Sequence, residues 1–176
     1  MRPLLITGIS VIVFQIQWWL CIVSGIYQYG HGQYAYWIAF VLFLINLLYQ
    51  PITRPMLLFF LILFSCGVAN DTLLMQLKVF GFSFQGALIP VWLMILWACF
   101  SAWFLHAQWL NQRLTVILSL FSICGTGSYY FAARLHALTF LMPLHYALMI
   151  MALDWFCLGF LFFIIVRCRC MKRFLG

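Results

Sequence analysis

The stretch MLLFFLILFSCGVANDTLLMQLKV, residues 56–79, decides the fold of this chain. A helix needs about 20 mainly apolar residues to cross the hydrocarbon core of a bilayer, and this stretch is long enough. It also contains Asp71, one of only two acidic residues in the protein. Because a carboxylate is costly to place inside a membrane, Asp71 marks a candidate functional site whose partner has to be identified.

The composition of the whole chain indicates a membrane environment. Of the 176 residues, 68% are hydrophobic and 6% are charged, and the mean hydropathy is +1.12. Soluble domains carry roughly a quarter charged residues, so a soluble protein with a large core is excluded. The net charge of +7 does not indicate nucleic-acid binding, because the basic residues are dispersed at segment ends and cluster only in the tail.

Six apolar segments predict an all-α fold, a single polytopic membrane domain formed by a compact bundle of six transmembrane helices. The segments are residues 4–28, 34–49, 56–78, 89–109, 114–134 and 143–166, followed by a basic tail at 167–176. Pro55, Pro90 and Pro143 are expected at helix starts, where proline fits the first turn. The first segment is too long for a signal peptide and is expected to be retained. The second is the shortest, and whether it fully crosses is left open. No internal repeat is evident.

The distribution of Lys and Arg predicts that both termini are cytoplasmic. In that orientation the cytoplasmic side receives all of the nine basic residues except Lys78 and Arg134. The opposite orientation would invert this ratio. Two cytoplasmic termini require an even number of spans, which six satisfies.

Several polar side chains are predicted to lie at one depth. At 1.5 Å per residue, Asp71 is roughly 22 Å from the cytoplasmic start of its span, in the outer third of the bilayer. The same count brings polar residues of the first and fifth spans to about this level. The candidate ligand-binding or polar cluster consists of Asp71, Asn70, Gln15, Gln17, Trp18, Ser128, Tyr129 and Arg134.

The role of the two acidic residues stays open at this point. Asp71 is either a functional group or a structural one, protonated or paired with Arg134 or Lys78, that fixes helix register. Asp154 lies nearer mid-bilayer, where only Gln15 or Gln17 is an obvious partner. We expect Asp154 to be protonated or to face a polar cleft.

The sequence contains no recognisable catalytic, metal or cofactor motif. The signatures GxSxG, GxGxxG, HExxH and the Walker loop are all absent. The four His are scattered, so we predict no metal, no cofactor and no catalytic residue, although His136 and His145 fall on the predicted side of Asp71. Five cysteines lie singly in apolar segments and are interpreted as small hydrophobic residues.

Four motifs in order resemble a known family. They are FQxxW at residues 14–18, GxxNDxL at 67–73, PxWxxxLWxxF at 90–100 and GSY at 127–129. The chain resembles the bacterial inner-membrane family called domain of unknown function 2878 over nearly its whole length. This resemblance implies a Gram-negative plasma-membrane protein without an established activity, and an association with genes for fatty-acyl chain modification.

Three functional hypotheses follow. The first is a non-enzymatic integral membrane protein, accessory to envelope or lipid metabolism, that binds a membrane lipid or a protein partner in the membrane. The second is a small-solute or proton-coupled transporter or substrate-capture subunit, which predicts a pocket open to the periplasm containing Asp71 and Gln17. The third is a membrane-embedded lipid-modifying enzyme, which needs His136 or His145 within reach of Asp71.

Overall fold

The chain is built almost entirely from helices. The computed structural model describes residues 2–27, 31–49, 53–83, 86–106 and 114–167. The first four helices are α1 (Arg2–Ile26), α2 (Ala35–Tyr49), α3 (Arg54–Gln76) and α4 (Val91–His106). The next helix is continuous and consists of α5 (Leu114–Leu120), a π-helical segment (Phe121–Gly125) and α6 (Thr126–Arg134), before α7 (Leu144–Arg167). A 3-10 turn (His31–Tyr34) and two short strands, β1 (Phe80–Gly81) and β2 (Thr139–Phe140), complete the described part.

The predicted helical class is confirmed, and each of the six predicted segments contains a helix. Four helices are long and apolar enough to cross a membrane, at Gly8–Ile26, Met56–Gln76, Leu114–Arg134 and Leu144–Ile164. The apolar helices Ala35–Leu48 and Val91–Leu105 are shorter. Residues 28 and 107–109 of the predicted spans, and nearly all of the basic tail, lie outside the described residues.

Prolines begin the helices as the sequence predicts. Pro55 occupies the first turn of α3. Pro90 and Pro143 directly precede α4 and α7, and the carbonyl of each accepts hydrogen bonds from the amides three and four residues later, at 3.0–3.2 Å. The missing proline N–H costs nothing at these positions, because the first amides of a helix have no helical acceptor.

The surface of the bundle is apolar, which is the reverse of a soluble protein. Large hydrophobic side chains are exposed on every long helix, among them Leu58, Ile123, Met149 and Leu153 at 63–72%. A water-soluble monomer rarely exposes contiguous apolar patches above a few hundred Å². These helices therefore have lipid as their solvent, and the protein is a membrane protein.

Helix α4 joins the two parts of the bundle. It packs against α1, α2 and α3, while α7 packs against α5, the π-helical segment and α6. The rings of Phe100 on α4 and Trp155 on α7 meet edge to face at 6.1 Å. Aromatic packing at the centre thus connects the α1–α4 group to the α5–α7 group.

One structural unit occurs twice in the bundle. It consists of a helix that ends in a left-handed turn and leads into a short strand. Helices α3 and α6 are each followed by a non-glycine residue with positive φ, Lys78 at 58° and His136 at 63°. In both turns the next amide donates to a carbonyl five residues earlier, at 3.0 Å after Lys78 and 2.9 Å after His136. The two turns are 58 positions apart, as are Asp71 and Tyr129.

The two units meet at the strands. β1 and β2 pair antiparallel, with Phe80 opposite Phe140 and Gly81 opposite Thr139. Gly81 and Thr139 are themselves 58 positions apart, the same offset as Asp71 and Tyr129. The strand register is therefore centred on a pair of equivalent residues, as expected if a local two-fold axis relates the two units. The pairing also means that α3 and α6 end on the same side of the bundle.

The positive φ angles lead to a stability prediction. Lys78→Gly and His136→Gly are each expected to raise the free energy of unfolding by up to about 1 kcal/mol. Glycine relieves left-handed strain of roughly 1–2 kcal/mol and costs about 0.5–1 kcal/mol of chain entropy. Thermal unfolding in detergent measures the change. Leu77→Gly is the control and should destabilise, because Leu77 has φ −74°; a similar loss in Lys78→Gly would contradict the strain argument.

Candidate functional site

The carboxylate of Asp71 is the centre of a buried hydrogen-bonded cluster. Asp71 is 1% exposed. Its Oδ2 accepts a hydrogen bond from Trp97 Nε1 on α4 at 2.6 Å and another from the Tyr129 hydroxyl on α6. A single carboxylate oxygen therefore ties together α3, α4 and α6. Hydrogen bonds of this kind are strong in a low-dielectric interior, provided that every member is satisfied.

Two glycines make room for this cluster. Gly67 lies four residues before Asp71, and a Cβ at Gly67 would be 2.1 Å from Trp97 Cε3. Gly125 lies four residues before Tyr129, and a Cβ there would be 2.1 Å from Trp155 Cδ2. Residues four apart share a helix face, so each glycine forms a socket for an indole beside the polar residue one turn later.

The two indoles in these sockets stack on each other. Trp97 and Trp155 lie with centroids 5.5 Å apart and ring planes 10° from parallel. The ring of Tyr129 is flanked by Trp155 at 6.2 Å and by Phe80 of β1 at 5.4 Å. Aromatic side chains thus surround the hydrogen bonds of Asp71, and the cluster is closed.

The second acidic residue has a partner on α3. Asn70 Nδ2 donates to Asp154 Oδ2 at 2.9 Å, which bridges α3 and α7. Consecutive helical residues point about 100° apart, so Asn70 and Asp71 reach different neighbours. Asp154 is half-buried, and its partner Asn70 directly precedes Asp71 in the chain. The two acidic residues of the chain therefore occupy one region of the bundle.

The other predicted cluster residues do not join Asp71. Ser128 donates to the Gly125 carbonyl within its own helix at 2.7 Å. Arg134 is exposed, as is Lys78, so neither basic residue predicted as a partner pairs with the buried carboxylate.

The residues predicted from α1 also lie elsewhere. Gln15 is exposed, Gln17 is 3% exposed, and Trp18 stands edge-on to Trp19 at 5.1 Å. Helix α1 packs against α2 and α4. Among the hydrogen bonds of the described residues, none joins α1 to the Asp71 cluster.

Sequence reasoning assigned no site role to Trp97 or to the Asn70–Asp154 pair. A signal for Trp97 was present, because it lies inside a helix rather than at an end, where membrane tryptophans usually anchor. A buried indole N–H usually finds a hydrogen-bond acceptor, and Asp71 and Asp154 are the only side-chain carboxylates in this chain.

The two histidines predicted on the side of Asp71 do not reach it. His136 and His145 are both exposed, whereas Asp71 is enclosed. Within the ranges that the structure describes, no three His, Cys, Asp or Glu side chains gather closely enough to hold a metal ion. The arrangement at Asp71 holds helices together, and the half-buried Asp154 is the carboxyl group that a second molecule can approach.

Comparison with known proteins assigns a family. The family model described as "Protein of unknown function (DUF2878)" matches residues 7–161, so the chain belongs to this family, as its motifs indicated. No curated protein matches the chain, and no solved structure matches it.

Proposed function

We propose that this protein is a non-enzymatic multi-pass protein of the bacterial inner membrane, accessory to envelope or lipid metabolism. In this proposal it binds a membrane protein partner or a lipid head group at the Asn70–Asp154 pair. The observation that carries the proposal is the difference in exposure between the two carboxyl groups. Asp71 is enclosed and hydrogen-bonded to side chains of the chain itself. Asp154 is half-buried and, within the described residues, accepts one side-chain hydrogen bond, from Asn70.

We further propose six crossings with both termini in the cytoplasm. The pairing of β1 with β2 supports a crossing by α4, because it puts the ends of α3 and α6 on one side. The chain has to cross back to the opposite side before α5 begins, and α4 is the described helix between α3 and α5. At about 24 Å, α4 is shorter than the roughly 30 Å hydrocarbon core, so local thinning of the bilayer accompanies this crossing.

The placement of basic residues supports the same orientation. Lys78 follows α3 and Arg134 ends α6, the two helices that lead to the strand pair. These are the only two of the nine basic residues assigned to the periplasmic side. Helix α2 then returns the chain after α1. Bonds from the Tyr36 amide to Ser24 Oγ at 2.9 Å and from Ser24 Oγ to the Gly32 carbonyl at 3.1 Å hold these two helices as a hairpin.

The proposal predicts that Asp154→Ala loses function without losing the fold. We expect a strain lacking the protein and supplied with Asp154→Ala to show the envelope defects of the deletion, measured as sensitivity to detergent and to large antibiotics. Stability should fall by only about 0.5–1.5 kcal/mol, since one half-exposed hydrogen bond is removed.

Leu153→Ala is the matched control, because Leu153 is the neighbouring residue, is 66% exposed and faces outward. It should restore the wild-type envelope. If Asp154→Ala, present at wild-type abundance, restores the envelope equally well, the binding role of this pair is wrong.

A transporter is the second candidate, and the repeated unit favours it. Several transporter folds contain parallel repeats related by an axis along the membrane normal, with the substrate site at the repeat interface. Asp71 and Tyr129 occupy equivalent positions in the two units, and the Tyr129 hydroxyl donates a hydrogen bond to Asp71 between them. This function requires an open state in which Asp71 exchanges its hydrogen bonds with Trp97 and Tyr129 for hydrogen bonds with water. Uptake of protons or solutes by vesicles that contain the protein distinguishes this function from the first proposal.

A further inference from the structure

A groove runs along one side of α3. It has a volume of about 510 Å³ and is lined by Phe64, Ser65, Ala69, Thr72, Gln76 and Leu88, with two further apolar residues. This volume falls within the range of about 300–1,000 Å³ that is usual for ligand sites. Gln76 Nε2 donates to the Ala87 carbonyl at 3.4 Å, which holds the loop carrying Leu88 against the end of the groove.

The groove contains a buried hydroxyl group that has no partner. Thr72 is 7% exposed, and its Oγ1 makes no hydrogen bond. Leaving such a group unsatisfied in an apolar surrounding is costly. A purely hydrocarbon occupant cannot accept its hydrogen, whereas an occupant with a carbonyl oxygen at the depth of Thr72 can.

The length of the groove separates a lipid from a transmembrane helix. From Ser65 to Gln76 the helix rises about 16 Å, which matches one leaflet of a hydrocarbon core of about 30 Å. A membrane-crossing partner helix would need about twice that length. Thr72 lies about 6 Å before Gln76, near the level where lipid ester carbonyls meet the hydrocarbon.

A basic residue follows the Gln76 end of the groove along the chain. Lys78 follows Gln76 by two residues, is exposed, and has no acidic neighbour within the described turn. An ammonium group at the membrane surface attracts anionic lipid phosphates. Along α3, the apolar lining, the Thr72 hydroxyl and the Lys78 ammonium group therefore follow one another. This is the order of the acyl chain, ester and phosphate of a phospholipid.

We infer that this groove binds one glycerophospholipid, with an acyl chain along Ser65 and Ala69, an ester carbonyl on Thr72 Oγ1 and the phosphate near Lys78. The groove lies on a different face of α3 from Asn70. Its occupancy is therefore independent of the binding role proposed for Asp154, and it holds for either orientation in the membrane.

Photolabelling tests the inference. The protein is reconstituted in vesicles of phosphatidylethanolamine and phosphatidylglycerol that contain phosphatidylglycerol with a diazirine in one acyl chain. We expect adducts concentrated on residues 65–73. Ala69→Phe fills the groove and should abolish these adducts. Thr72→Val keeps the shape but lacks the hydroxyl group, and should lower labelling about two- to tenfold, the effect of one hydrogen bond.

Cys157→Phe is the matched control, because Cys157 is a small exposed residue on α7, away from the groove. It should leave labelling unchanged. Equal labelling of the wild type and Thr72→Val would overturn the inference, and this conservative variant decides the matter even if Ala69→Phe fails to fold. Adducts spread evenly over all helices would also overturn it in favour of bulk lipid. An absence of adducts on residues 65–73 would overturn it in favour of an occupant without this acyl chain, such as a second copy.

Discussion

Asp71→Ala is expected to lower the free energy of unfolding by about 2–6 kcal/mol, the largest effect of any single substitution that we predict. The change leaves the Trp97 indole N–H and the Tyr129 hydroxyl buried without an acceptor. Each unsatisfied buried donor costs about 1–3 kcal/mol. Because these donors lie on α4 and α6, the loss should loosen the contact between the two parts of the bundle.

The measurement is unfolding of the purified protein in mixed detergent micelles. Leu73→Ala is the control: Leu73 lies on the same helix but is 53% exposed, so its truncation should have little effect. Asp71→Asn keeps an acceptor oxygen and should fall between the two. An Asp71→Ala protein as stable as Leu73→Ala would show that the cluster does not hold the helices.

Gly67→Ala and Gly125→Ala form the second large prediction. A methyl group at either position would be 2.1 Å from an indole carbon, of Trp97 or Trp155 respectively. Relieving such an overlap requires displacement of the ring or of the helix, and overpacking typically costs 1–3 kcal/mol. We expect both variants to lose at least about this much, and Gly67→Ala also to pull Trp97 away from Asp71.

Gly127→Ala is a control with the opposite expected sign. Gly127 lies in the same helix as Gly125, but a Cβ there would meet nothing within 4 Å. Alanine is favoured over glycine in a helix by about 1 kcal/mol, so Gly127→Ala should stabilise the protein slightly. If Gly125→Ala stabilises it as well, the socket interpretation is wrong. Thermal unfolding of the three variants side by side provides the comparison.

The site was only partly predictable, and particular residues show why. Counting depth along the helices placed Asp71 and Tyr129 at one level, and the structure joins them. The same count selected Gln15 and Arg134, which are exposed. Depth is a property of one helix, whereas contact also requires that two helices be neighbours and that the side chains face each other. Trp97 and Asp154 lie on helices from which the count had selected no cluster residue.

The repeated unit was also hard to recognise in the sequence. Its two copies share the 58-residue offset of Asp71 and Tyr129. Gly67 and Gly125 are identical at this offset, as are Trp97 and Trp155, whereas Lys78 corresponds to His136. Backbone geometry defines the unit, and several side chains are compatible with that geometry. The few identical residues at this offset do not stand out in so hydrophobic a sequence, and only the structure shows that they are equivalent.

The sequence by itself determined the solvent, the helical class and most helix boundaries, because hydropathy, helix length and the position of proline act locally along the chain. It also determined that a rare carboxyl group would need a partner inside the protein. Only the tertiary structure decided which donors satisfy that group. The choice depends on the close approach of helices at Gly67 and Gly125, where residues distant in the chain are brought together by packing.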